Sequence, residues 1–324
     1  MEPILELKNY QAHFYTRRGI VKAVDGISFK VHPGETLGIV GESGSGKSVT
    51  HLSYLRLLPS PPLRIVGGEV RFKGKNILTL PDRQLRDLRG KSIAMIFQEP
   101  MTSLNPYMKI GAQLIEPLLI HTVMNKKDAW KKAIAALERV GIPNAEPAMN
   151  RYPHEFSGGM RQRVMIAMAL TTDPAVLIAD EPTTALDVTV QAQILDLLRD
   201  IQKDTGMAVV LITHDLGVVA GLADRVVVMY AGHVFEEGSA EDIFYRSAHP
   251  YTLALLKSTP RIDVPQGALP VIPGMPPDLS RLGKGCPFYE RCGYHMDVCV
   301  TEFPTSHQFG PEHESFCYLE RPPQ

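Results

Sequence analysis

The chain has 324 residues, 44% of them hydrophobic, which is enough for one large domain with a smaller appendage. Lys and Arg number 34 against 35 for Asp and Glu, and the formal net charge of −1 gives no electrostatic basis for nucleic acid as the main partner. The start Met1-Glu2-Pro3-Ile4-Leu5-Glu6 lacks a signal-peptide pattern, and the nearest approach to a membrane span, 164–179, is split by Thr171-Thr172-Asp173-Pro174, so a cytosolic chain is expected.

Residues 4–8 and 24–31 alternate as sheet strands do, with His13-Phe14-Tyr15-Thr16-Arg17-Arg18-Gly19 reading as a strand end turning into a hairpin. An aromatic ring here, upstream of the next motif, is placed to stack on an adenine. Phe14 is the first choice and Tyr15 the second, although aromatics also favour strands for packing alone. Thr36-Leu37-Gly38-Ile39-Val40 reads as a buried strand, followed by Gly41-Glu42-Ser43-Gly44-Ser45-Gly46-Lys47-Ser48 and a helix from Val49 to Leu58. The eight-residue run fits G-x-x-x-x-G-K-[ST] at every fixed position and sits in the strand–loop–helix context that a phosphate loop requires. Glycines let consecutive N–H groups turn inward toward phosphate oxygens, and the helix start adds unpaired N–H groups and partial positive charge. Lys47 neutralises the β- and γ-phosphates and the Ser48 hydroxyl takes a place on Mg²⁺. The chain is expected to bind a nucleoside triphosphate.

Residues 67–72 with Asn76-Ile77 form a further strand pair, and 91–97 an apolar strand ending at Gln98, whose amide suits Mg²⁺ or a water. From Met101 to about Asp173 strand signals stop. Residues 128–140 carry Ala129, Ile134, Leu137 and Val140 at helical spacing, and a last helix opens at Phe156-Ser157-Gly158-Gly159-Met160 and runs to Leu170. Serine followed by two glycines at a helix start makes a second anion site, although a plain serine cap is the commoner meaning. Ala175-Val176-Leu177-Ile178-Ala179 is an apolar strand ending in Asp180-Glu181: Asp180 suits the outer shell of Mg²⁺, and Glu181 suits activation of the attacking water. After Asp187 comes the amphipathic helix 188–203, then an apolar strand 208–213 ending in His214, placed to reach a γ-phosphate. Residues 225–230 and 233–238 form a hairpin around Ala231-Gly232. Helix 241–256 is interrupted by His249-Pro250-Tyr251, and prolines at 260, 265, 270, 273, 276 and 277 mark an extended, loop-rich tail. All four cysteines, Cys286, Cys292, Cys299 and Cys317, lie in this tail, a clustering that favours metal over disulfides in a cytosolic chain. The C-x5-C-x6-C-x17-C spacing fits neither paired zinc knuckles nor the ferredoxin run, and leaves the metal open.

Taken together, these elements closely resemble the nucleotide-binding subunit of ATP-binding-cassette (ABC) transporters over residues 4–245. The resemblance implies an α/β P-loop NTPase fold across 1–245: a RecA-like core sheet, an antiparallel β subdomain and a helical subdomain inserted at about 101–173. Residues 246–324 would form a small cysteine-rich extension. It implies Phe14 as the adenine-stacking aromatic, Gly41, Ser43, Gly44, Ser45, Gly46, Lys47, Ser48 and Val49 as ATP contacts, and Gln98 as the Q-loop glutamine. Ser157-Gly158-Gly159 matches the signature that closes on a partner's ATP, Asp180 and Glu181 the Walker B aspartate and catalytic glutamate, Asp187 the D-loop, and His214 the switch histidine. Phe156 and Met160 replace the usual Leu and Gln of the signature, but the serine and glycines that bind γ-phosphate remain.

Within that family, Phe97-Gln98-Glu99-Pro100-Met101-Thr102-Ser103-Leu104-Asn105-Pro106, the run Asp180 to Thr189, and His249-Pro250-Tyr251-Thr252 resemble the oligopeptide and dipeptide importers, most of all the D-type ATPase subunits. Related importers carry nickel, glutathione or opines. The resemblance implies ATP hydrolysis at the cytoplasmic face of the membrane, a second and different ATPase subunit, two membrane-spanning permease subunits and an extracytoplasmic peptide-binding protein. It also implies a [4Fe–4S] cluster on the four cysteines, with zinc the alternative. A soluble ABC-type ATPase acting on DNA or ribosomes is the competing function; such proteins typically carry a second cassette, a coiled coil or basic insertions.

Overall fold

The computed structural model describes residues 2–98, 103–184, 186–259 and 271–323. Glu99 to Thr102, Ala185, Pro260, Pro265 and Pro270, which belong to runs singled out above, lie outside the described residues. The chain divides into two compact units: Met1–His32, Thr36–Leu78 and Thr213–Gln324 in the first, and Pro33–Glu35 with Thr79–Ile212 in the second.

The first unit opens with β1 (Leu5–Thr16) and β2 (Gly19–Val31), an antiparallel hairpin longer than the separate short strands expected from sequence. β3 (Thr36–Val40) is wholly buried and leads into the phosphate loop. The helix after it is Lys47–Tyr54, shorter than expected, and the backbone turns left-handed at Arg56 (φ 51°). β4 (Leu63–Phe72) pairs antiparallel with β1, and the two-residue β5 (Lys75–Asn76) completes a sheet in the order β2-β1-β4-β5.

The second unit holds three parallel strands, β6 (Ile93–Ile96), β7 (Val176–Asp180) and β8 (Ala208–Ile212), with β7 between the others. β7 and β8 are buried throughout, which is why they read as unbroken apolar runs rather than alternations. Between β6 and β7 the described residues are helical or irregular, including helices Ile110–His121, Lys126–Arg139 and Gly158–Leu170. The helix Lys126–Arg139 starts where Asn125 accepts a hydrogen bond from the Asp128 amide, and buries Ala129, Ala133 and Leu137. Sequence patterning missed Ile110–His121 because it contains Pro117 and Gly111. A Cβ at Gly111 would stand 2.6 Å from the Trp130 ring, so the glycine serves close packing.

Back in the first unit, β9 (Arg225–Tyr230) runs parallel to β3 and forms a hairpin with β10 (His233–Ser239). Helices Ala240–Tyr245 and Pro250–Lys257 follow, and the break between them falls at 246–249, just ahead of Pro250 and Tyr251, which open the second helix behind the His249 cap. The tail is not loop alone: β11 (His307–Gly310) and β12 (His313–Ser315) form a hairpin that pairs with β10. Strands this short carry no readable alternation. They are held by Glu236, fully buried, which accepts hydrogen bonds from the Ala248 and His249 amides and contacts the His313 ring at 2.7 Å. One apolar core includes Val40, Val226, Val228, Tyr230 and Phe235 together with Tyr251, Ile272, Cys286, Phe288 and Cys299. The tail therefore packs into the same core as the strand that carries the phosphate loop.

Candidate nucleotide site and cysteine site

In the phosphate loop the backbone adopts conformations that side chains resist. Gly46, which precedes the helix, has φ 101°, and a Cβ there would lie 2.3 Å from the Ala23 carbonyl oxygen. At Gly41 a Cβ would lie 2.1 Å from the Met229 carbonyl oxygen. Glycine at both positions is dictated by backbone-to-backbone contact, which lets the loop wrap closely enough for its N–H groups to face an anion. Lys47 is buried and its ammonium donates to the carbonyls of Gly41 (2.7 Å) and Glu42 (3.0 Å), so its charge is held over the loop. Ser45, Gly46 and Lys47 are buried, Ser48 and Val49 half-buried, and Ser43 and Gly44 exposed. A cavity of about 140 Å³ beside Glu42, Ser43, Gly44 and Ser45 is walled on its other side by Tyr230, Pro276, Pro277 and Leu279.

Upstream, Phe14 is half-buried on β1 opposite Val21, while Tyr15 is exposed with the Arg64 guanidinium 4.8 Å over its ring. His214 lies just past Thr213 on the same unit and is exposed. The adjacent Asp215 caps helix Leu216–Leu222 by accepting from the Gly217 amide.

The second unit carries the acidic pair. Asp180 ends β7 and is 4% exposed. Glu181 follows in the left-handed region (φ 46°), which is uncommon for a residue with a side chain and is one of the marks of a functional turn. Its amide donates to the Ile212 carbonyl at 2.8 Å, and its Oε2 accepts from Gln98 Nε2 (2.7 Å) and Thr184 Oγ1 (2.8 Å). Gln98 is thus joined to the glutamate itself, and Thr184 is a partner that sequence reasoning missed; its place three residues after Glu181 was the available signal. Ser157 is exposed and caps helix Gly158–Leu170, accepting from the Met160 amide at 3.3 Å. A Cβ at Gly159 would come 2.7 Å from the Val190 side chain. The substituted Phe156 is buried. Asp187 caps the helix Val188–Thr205 through the Val190 amide at 2.9 Å.

Cys286, Cys292, Cys299 and Cys317 are all free thiols, and all four line one small cavity with His249, Phe288 and Met296 among its other walls. Backbone N–H groups point at the sulfurs: Tyr294 to Cys292 at 3.4 Å, Met296 to Cys299 at 3.5 Å, Phe288 to Cys286, and Leu319 and Tyr318 to Cys317. Burial pushes the Cys286 thiol up to about 12 and the Cys317 thiol up to about 11, with the neighbouring cysteines adding to the shift, and burial also raises Cys292. Among the described residues, no three His, Cys, Asp or Glu side chains are drawn together tightly enough to enclose a single ion. Four thiols around one cavity, each met by backbone donors, nevertheless fit a thiolate-bound metal group: a cation there would offset the mutual repulsion of the thiolates and lower their proton affinity.

A strand–phosphate loop–helix, a buried strand ending in Asp-Glu and a Ser-Gly-Gly helix start define the ATP-binding cassette class of ATPases. The family model described as ABC transporter matches residues 24–184, and that described as oligopeptide/dipeptide transporter, C-terminal region, matches 235–299. The oligopeptide transport ATP-binding protein OppD of Salmonella typhimurium is 51% identical over 315 residues, covering 97% of this chain and 93% of that protein. The dipeptide transport ATP-binding protein DppD of Bacillus subtilis is 51% identical over 320 residues, covering 99% and 96%. Among solved structures, the dimeric bacterial ABC transporter cassette MJ0796 matches with a TM-score of 0.65 and 29% identity, covering 73% of this chain and 98% of that one. The chain belongs to the ABC transporter ATP-binding proteins, in the oligopeptide/dipeptide group. It is an ATPase subunit, and among the described residues no helix is long and apolar enough to cross a membrane.

Proposed function

We propose that this chain hydrolyses ATP to drive uptake of di- or oligopeptides, working peripherally at the cytoplasmic face of the membrane. The observation that carries this is likeness along nearly the whole chain, C-terminal region included, to relatives named for oligopeptide and dipeptide transport. Its partners are two permease subunits, a second ATPase subunit of different sequence and an extracytoplasmic peptide-binding protein. The cassette occupies 1–245, with its helical subdomain at about 101–173, and the extension 246–324.

Phe14 stacks on the adenine, and residues 41 and 43–49 hold the phosphates, with Lys47 neutralising them. Ser48, Gln98 and Asp180 hold or orient Mg²⁺ and its waters, Glu181 accepts the proton of the attacking water, and His214 meets the γ-phosphate. Ser157, Gly158 and Gly159 close on the nucleotide of the partner subunit, with Asp187 beside them. ATP thereby joins the two ATPase subunits and hydrolysis releases them.

The four cysteines hold a [4Fe–4S] cluster, for which they supply the thiolates; the backbone donors to their sulfurs support this reading. Anaerobic purification should give iron and acid-labile sulfide in equal amounts. One equivalent of zinc without sulfide would assign the site to zinc instead.

The test of transport is a tagged chain taken from its host's membranes in mild detergent and returned to vesicles with its co-purifying subunits. Labelled di- and tripeptides should enter in an ATP-dependent way and raise ATP turnover. Uptake of nickel, glutathione or an opine instead would overturn the peptide substrate, and recovery with ribosomes or DNA would overturn transport.

A further inference from the structure

One side chain joins the phosphate loop to the cysteine site. Arg291 ends the short turn Tyr289–Arg291, immediately before Cys292, and is 9% exposed. Its Nη1 and Nη2 donate to the two carboxylate oxygens of Glu42 at 2.7 and 3.0 Å. Nη1 also donates to the Tyr230 hydroxyl at 2.9 Å, and Nε to the Pro273 carbonyl at 2.9 Å. Glu42 is the second residue of the phosphate loop, and its own amide donates to the Tyr251 hydroxyl at 2.9 Å. Behind this pair the rings of Tyr230, Tyr251 and Phe288 pack edge-on or tilted, with centroids 4.6 to 5.4 Å apart, in the core that also contains Cys286 and Cys299.

A two-pronged Arg–carboxylate pair fixes both distance and angle. Its charge balance matters as much as its geometry. A carboxylate in a loop built to receive several phosphate charges opposes binding unless it is neutralised, and truncating Arg291 would leave the half-buried Glu42 uncompensated. Glu42 therefore makes nucleotide binding depend on a residue of the tail. We propose that Arg291 is a positioning residue of the ATP site, and that through it the state of the neighbouring cysteine site sets the affinity of the phosphate loop for ATP. The second half of this inference rests on the cysteines being a metal site; the first half does not.

Arg291→Gln should raise the KM for ATP about tenfold, the effect of one uncompensated charge near the phosphates at a protein-like dielectric, with kcat changed less than about twofold. The double variant Glu42→Gln/Arg291→Gln, which carries no lone carboxylate, should recover most of that loss, and Arg291→Lys should fall between. Thermal melts establish that each variant is folded. An unchanged KM in Arg291→Gln, or a double variant no better than the single one, overturns the positioning role. For the coupling, wild-type protein with its metal group intact is compared with protein stripped by chelation, iron and sulfide being assayed in both. Stripping should weaken binding of a fluorescent ATP analogue about three- to tenfold in the wild type, and not in the double variant. Verified stripping with no change in affinity overturns the coupling. Protein that never contains metal refutes the cluster reading and the coupling together, and leaves the positioning role of Arg291 to be decided by the variants above.

Discussion

The groups proposed to meet ATP in the phosphate loop belong to consecutive residues, and much of the loop's shape comes from glycine backbone packed against the Ala23 and Met229 carbonyls. The cysteine site is built the other way: side chains from positions 286 to 317 line one cavity, carried by short turns and a four-residue helix. A backbone site tolerates exchange of its neighbours but not of its glycines. A thiol site tolerates its backbone but not the loss of a sulfur. The first can also be read from a local pattern, whereas the second exists only once the tail has joined the core that it shares with β3 and β9.

The largest expected effect separates holding ATP from splitting it. Glu181→Gln should lower turnover roughly 10²- to 10⁴-fold, the range for losing a general base. The amide oxygen can still accept from Gln98 and Thr184, so nucleotide affinity should hold; near-normal turnover would remove Glu181 from its role. Gly46→Ala tests the backbone site. The left-handed φ and the contact with Ala23 should weaken ATP binding about 10- to 100-fold, while the iron of the proposed cluster stays at the wild-type level. Loss of iron in that variant would mean that the two regions fold as one and would blunt the contrast.

Cys286→Ser is the converse. On the proposed cluster reading, metal affinity should drop by at least about 10- to 100-fold, measured as retention of iron against a chelator. Full retention would take Cys286 out of the ligand set.

The smallest effect comes from three histidines of the first unit, His51 and His249 buried and His233 half-buried. Burial pushes His51 and His249 down to about 3 and His233 down to about 4, so all three are neutral in the folded chain. In the unfolded chain they protonate near the ordinary value of about 6.5, so the unfolded state takes up more protons as pH falls below it. Their contribution is complete above that pH and declines below it, by about 1 kcal/mol for each histidine at pH 5.5. Urea midpoints at pH 7.5 and 5.5 would show the loss, and His51→Asn should reduce it; equal midpoints would contradict neutral burial.

The sequence by itself determined the nucleotide chemistry. Residues 41–48, Asp180-Glu181, Ser157-Gly158-Gly159 and the buried strands around them are local runs whose pattern marks an ATPase, and their individual roles are those proposed above. It also placed a break between helices near the His-Pro-Tyr run and, among the described residues, a stretch without strands between β6 and β7. Only the tertiary structure decided which distant residues meet. Gln98 reaches Glu181 across 83 positions, Arg291 reaches Glu42 across 249, and the β11–β12 hairpin finds β10 through the buried Glu236–His313 contact. Hydrophobic periodicity records which face of an element is buried, but not what it is buried against, and a charged residue such as Arg291 reads as solvated surface until its partner is in place.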